Sequence, residues 1–162
     1  MLSQRVRTLG IAITTLFCVA GCQNSQPTHQ SEIKKLQGEW RLVEWKTRDG
    51  SRDVLAELND DQRQTIKVTV NGDQFQFRIN GRLDQQAIRL SPLLNPPAID
   101  CTRKAGPSVG PADVTFLGVY ELQGDRLTIA NALPGASRPS VVGPAAGESG
   151  SIYVYERIKG IN

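Results

Sequence analysis

Cys22 is the residue whose type and neighbours together specify a reaction. Val19, Ala20 and Gly21 stand directly before it, Arg5 and Arg7 lie near the start, and Leu9 to Ala20 are mostly apolar. A charged segment, a run of about a dozen apolar residues and small residues before a cleavage point are the parts of a secretory signal. The small side chains let a peptidase bind the backbone closely, and the cysteine thiol is then the nucleophile that takes a lipid. This is the pattern of a bacterial lipoprotein signal, with Cys22 as the attachment point. Cys18 does not fit that role, because Phe17 before it is too large for the cleavage position. Ala20 and Gly21 are also compatible with ordinary secretory cleavage. An uncleaved anchor fits poorly, since a helix of this length falls short of the ~30 Å hydrocarbon core.

Acyl chains on Cys22 make a firm membrane anchor, each buried CH₂ contributing about 0.8 kcal/mol. Gln23 follows the cysteine, not an Asp that would favour retention at an inner membrane. The expected location is therefore the cell envelope, with the outer membrane favoured where two membranes exist. The domain would face the periplasm or the exterior.

The other chemistry-bearing residues are sparse. His29 is the only histidine, and it lies in a polar stretch outside the regular elements, so no Ser-His-Asp, Cys-His or His-based metal arrangement is expected. No glycine-rich loop joins a strand to a helix as phosphate binding requires. Asp60-Asp61 at the end of a short helix reads as a solvated surface pair. Asp100 and Asp113 flank a Pro/Gly loop with Arg103 between them, and read as ion pairs or turn caps. Neither catalytic residues, nor a metal site, nor a cofactor is expected. Cys101 shares a strand face with Ile99 and reads as a small core residue. Phe75, Phe77 and Tyr120 fall on strand faces turned inward, where they either pack the core or line a ligand cavity.

Removing residues 1–21 leaves 141 residues, one domain's worth, with 17 Lys+Arg against 16 Asp+Glu. That near-neutral balance gives no basic footprint for nucleic acid. Cys101 has no intramolecular disulfide partner once Cys18 is cleaved off and Cys22 carries lipid, so the core must stabilise the fold unaided.

The elements that position these residues are short and alternating. Residues 22–31 are polar and read as a flexible tether, and residues 32–159 as the folded domain. Glu39 to Lys46 is a first strand in which Trp40 and Trp45 differ in parity, which calls for a bulge or burial of both faces. Asp53 to Gln64 is the one helical candidate, with Val54, Leu55 and Leu58 on one side. Ile66 to Val70, Phe75 to Ile79 and Arg82 to Leu90 alternate around Asn71-Gly72 and Asn80-Gly81, the signature of consecutive tight hairpins. Ala98 to Arg103, Val114 to Leu122, Arg126 to Ala130 and Ile152 to Arg157 complete eight strands. Leu133 to Ser151, with three prolines and four glycines, reads as a long loop.

Eight sequential antiparallel strands with one apolar face predict an all-β, up-and-down barrel with one short helix after the first strand. Closure removes the sheet edges, and an open two-sheet sandwich is the alternative. At eight strands the interior is either filled by side chains or holds one small ligand.

Several segments together resemble a family of small lipocalin-like domains of planctomycete-type bacteria. They are Leu36-Gln37-Gly38-Glu39-Trp40, Pro97-Ala98-Ile99-Asp100, Leu117 to Leu122 with Gly124 to Leu127, Pro134-Gly135 with Arg138-Pro139, and Gly150. The likeness spans about residues 32–159. It departs at Val141-Val142, where such domains carry an aromatic. It implies an architecture and supplies no catalytic residue.

Two functions follow as expectations: a module for a small apolar or amphipathic ligand, and a non-catalytic interaction or envelope-structural module. A ligand pocket should be a concavity of about 300 Å³ or more, mostly apolar with a few polar groups. The anchor is tested separately by fractionating cells that carry Cys22→Ser. The variant is expected to leave the membrane fraction, and equal membrane retention with the parent would overturn the lipid assignment.

Overall fold

The computed structural model describes residues 26–79, 81–105, 110 and 112–160; Cys22 lies outside them. Eight strands run β1 (Gly38–Thr47), β2 (Lys67–Asn71), β3 (Gln74–Ile79), β4 (Arg82–Ser91), β5 (Ala98–Arg103), β6 (Val114–Gln123), β7 (Arg126–Asn131) and β8 (Ser151–Arg157). Each pairs antiparallel with its sequence neighbour, and β8 returns to β1, closing the barrel. The predicted up-and-down barrel is what the chain forms, and closure excludes the open sandwich.

The two tryptophans of β1 explain the seam. Leu42 faces Tyr155 on β8 while Glu44 faces Val154, leaving Val43 as the extra residue of a β-bulge. A strand without it would turn Trp45 outward if Trp40 points in. With it, both rings reach the interior, the first of the two outcomes that the parity mismatch allowed.

The turns differ in detail from expectation. Asn71 pairs with Gln74, so Gly72-Asp73, and not Asn71-Gly72, form the two-residue loop. Gly72 adopts φ +58°, and the Gln37 side chain clasps its N–H and carbonyl at 2.7 and 3.0 Å. Ile79 pairs with Arg82, so the next hairpin closes through Gly81 at φ +75°. The expected helix over 53–64 is shorter: Asp53 bridges to Lys46, Val54 to Leu58 are turn and bend, and α2 spans Asp60–Thr65, capped by Asn59. Of the supposed helical face, Leu55 and Leu58 instead fold against the barrel core through turns, with Leu55 N–H bonded to Trp45 carbonyl at 3.1 Å.

A second helix appears where the tether was expected. α1 (His29–Leu36) precedes β1, with Thr28 and Ser31 forming a reciprocal capping box. The folded domain thus begins before residue 32. Only Ile33 and Leu36 mark this helix in the sequence, too few for a periodic signal, and tertiary burial decides it. His29 is part of the docking: its Nδ1 accepts from Leu90 N–H at 3.0 Å.

α1 seals one end of the barrel. Trp40 is wholly buried there and donates from Nε1 to the Leu36 carbonyl at 2.9 Å. The Arg157 guanidinium lies 4.1 Å from its ring centroid and donates to the carbonyls of Gln37 and Lys35, both at 2.6 Å. One arginine thereby satisfies helix C-terminal carbonyls and covers the plug by a cation–π contact.

The loop after β7 straps the outer wall. Val119, Ala130, Ile152 and Val154 form a small apolar cluster outside the barrel, joined by Val43 and by Val142 from the loop. Arg48 has no exposed surface and donates to the carbonyls of Val141 and Gly143 at 2.8 and 2.6 Å, and to Glu148. Arg138 reaches the Gly118 carbonyl at 2.6 Å and pairs with Asp100 at 2.7 Å.

Among the described residues, no helix is long and apolar enough to cross a membrane. Replacing Arg48 by Met leaves two loop carbonyls and Glu148 without their cation, at a cost of about 3 kcal/mol. The loop over 133–150 should then become cleavable by protease under conditions where the barrel stays folded, as read by limited proteolysis and circular dichroism. An unchanged cleavage pattern would refute the strap.

Candidate functional site

Away from α1, the interior is not filled. A cavity of about 250 Å³ lies among the ends of β1, β3 to β8 and the start of the strap. It is slightly smaller than the ~300–1,000 Å³ of sites for drug-sized ligands. Its walls follow from strand parity. Phe75 and Phe77 alternate inward on β3, Asp84 and Gln86 on β4, Cys101 and Arg103 on β5, and Tyr153 and Tyr155 on β8.

The rings make a continuous wall. Trp45 meets Phe77 edge-on at 6.4 Å between centroids and Tyr153 at 5.6 Å. Tyr153 stacks on Tyr155 at 6.2 Å, and Tyr155 meets Phe75 at 5.8 Å. These separations lie within the range in which aromatic pairs attract. Burial pushes the hydroxyls of Tyr153 and Tyr155 up, so both are neutral phenols.

Facing the rings is a polar set. Arg103 donates from Nε to Asp84 at 2.7 Å and from Nη2 to its second oxygen, and Gln86 adds a third bond at 2.8 Å. The guanidinium also sits 5.4 Å from the Phe116 ring centroid. Two of the lining residues each bury a polar atom with no accessible surface and no partner among the described residues: the Nε1 of Trp45 and the Oδ1 of Asn131. Leaving such a group unpaired costs about 1–3 kcal/mol.

Asn131 is held by two glycines. A Cβ on Gly118 would lie 2.2 Å from its Oδ1, and one on Gly150 would lie 2.0 Å from its carbonyl oxygen. Gly150 has φ +126° as well. Both positions need glycine because the Asn131 segment occupies the space a side chain would take.

The residues proposed from sequence separate here. Phe75 and Phe77 line the cavity together, whereas Tyr120 does not. Tyr120 is buried at the α1 end, and desolvation together with the charge of Glu32 pushes its hydroxyl up to about 12. It borders a different, open groove with Pro27, Glu32, Pro96 and Pro97. Arg103 pairs with Asp84 on the neighbouring strand, on the inner face of the wall, while Asp100 pairs with Arg138 outside and Asp113 with Lys104 at 2.8 Å. Asp60 and Asp61 sit in the exposed first turn of α2. No His/Cys/Asp/Glu group suited to a metal is present among the described residues.

Sequence reasoning missed Trp45, Phe116, Tyr153, Tyr155 and the Asp84–Arg103 pair. Parity in β8 was available for the two tyrosines. The ion pair was harder, because Asp84 and Arg103 read as surface charges until the register of β4 on β5 is known. Comparison with protein-family models, curated proteins and solved structures finds no match for this chain.

Cys101 also faces the cavity, beyond its expected core role. Burial, with the nearby charges of Asp100 and Asp84, pushes its thiol up to about 12. Since the thiolate is the reactive form, iodoacetamide at mildly alkaline pH should label Cys101 only as fast as the protein unfolds. Rapid labelling of the folded protein, read by mass spectrometry, would contradict this placement.

Proposed function

We propose that this protein is a lipid-anchored envelope lipoprotein whose lipocalin-like barrel binds a small amphipathic molecule. The observation that carries the reading is the cavity. The barrel forgoes dense packing at one end and lines the space with rings on one side and hydrogen-bonding groups on the other. Purely structural barrels of this size fill their interior with side chains. The volume of about 250 Å³ makes the ligand smaller than a drug-sized one. No catalytic role is assigned, because the titratable groups of the cavity are a closed ion pair, a protonated thiol and neutral phenols. The membrane anchor through Cys22 rests on the sequence pattern alone.

The alternative, an interaction or envelope-structural module, is favoured by the strap. Its apolar Leu133 and Val141 are 52% and 45% exposed although Arg48 and Arg138 hold the loop.

Native mass spectrometry of the Cys22→Ser protein purified without detergent separates the two. A bound small molecule should be released on denaturation, and its binding should change the fluorescence of Trp45. The Trp40→Phe variant isolates that signal, and Trp45→Phe should abolish it. An empty cavity with no spectral response to extracts of the native cell would favour the interaction module.

A further inference from the structure

The path of the chain into the barrel decides which end meets the membrane, on the reading that Cys22 carries a lipid anchor. Five residue steps separate Cys22 from Pro27, about 18 Å of chain at full extension. Pro27 borders the groove beside Pro96 and Pro97, and His29 accepts at Nδ1 from Leu90 N–H at 3.0 Å. The chain therefore enters the domain beside the turn between β4 and β5, at the end that α1 seals. A ten-residue strand such as β6 is ~33 Å long, and at the ~40° tilt of barrel strands it rises about 25 Å. The tether is too short to turn the cavity end to the bilayer.

The turn between β4 and β5 carries what a membrane-facing surface needs. Leu93 and Leu94 are adjacent there and 66% and 51% exposed. No charged residue lies between Arg89 and Asp100 to oppose their burial in lipid. Exposed leucines scattered singly are ordinary on a protein surface, but this pair stands where the lipidated chain enters the domain. We propose that Leu93 and Leu94 insert into the headgroup–acyl boundary, docking the α1 end on the bilayer and presenting the cavity to the aqueous compartment. A ligand then reaches the barrel from water, not from the membrane.

Flotation of the full lipidated chain with vesicles of phosphatidylethanolamine and phosphatidylglycerol reads the anchor. A nitrobenzoxadiazole dye on Leu93→Cys or on Leu133→Cys reads the orientation. Leu133, 52% exposed at the cavity end, gives the same dye a comparable starting exposure. Cys101 is buried and stays unlabelled in the folded protein. In the floated protein, brominated lipids should place the dye at 93 about 5–10 Å into the headgroup–acyl boundary. Its quenching by aqueous iodide should fall several-fold relative to the Cys22→Ser form in solution, while the dye at 133 keeps its quenching. Adding Leu94→Ser should restore part of the iodide access at 93. Iodide access at 93 unchanged by the membrane, in protein that still floats, would overturn the docking and leave the anchor standing. Shielding at 133, with or without shielding at 93, would overturn the orientation. Failure to float would remove the anchor and this inference together.

Discussion

Everything in the barrel depends on how β1 meets β8. Seven pairings join strands that follow one another in sequence, but the eighth joins residues more than a hundred positions apart and must bring both ends of the domain into register. The bulge at Val43 solves a conflict along that seam. It lets Trp40 enter the sealed end and Trp45 enter the cavity, although the two are an odd number of residues apart. Slipping β1 by one residue against β8 would turn these rings out to solvent while Tyr153 and Tyr155 still faced inward. The bulge therefore sets both the plug and the binding wall.

The two ends of the barrel are built for different work. At the α1 end, Trp40, Leu36 and Leu127 are almost without exposure, and Arg157 ties the helix C-terminus to the last strand. At the other end the same alternation places rings opposite polar groups and leaves space between them. The strap reinforces that end from outside. Arg48, just past β1, holds the loop carbonyls, while Gly150 brings the loop hard against Asn131 before β8 begins. A buried arginine with carbonyl and carboxylate acceptors is a stable arrangement, since its charge is both paired and hydrogen-bonded.

Much of this was legible from the residues. Alternation from Val68 to Ile79 and the glycines at 72 and 81 identified adjacent antiparallel strands, because a two-residue hairpin needs positive φ and a half-buried strand needs period two. The mismatch of Trp40 and Trp45 pointed to the bulge. α1 was not legible: it is short, mostly polar, and stabilised by burying Ile33 and Leu36 on strands remote in sequence. The helix expected over 53–64 failed for a related reason, as backbone bonds to β1 hold Leu55 in a turn.

By itself the sequence determined the eight strands, their antiparallel succession and the lipid-attachment pattern at Cys22. These are properties of neighbours: side-chain period, turn chemistry and a short peptidase motif. Tertiary structure alone decided which inward residues meet. Phe77 and Tyr153 share a cavity with Asp84 and Arg103, and Tyr120, on the same face by parity, lies at the sealed end. Parity assigns a face, but height along the barrel follows from strand register and closure, which no local stretch of chain encodes.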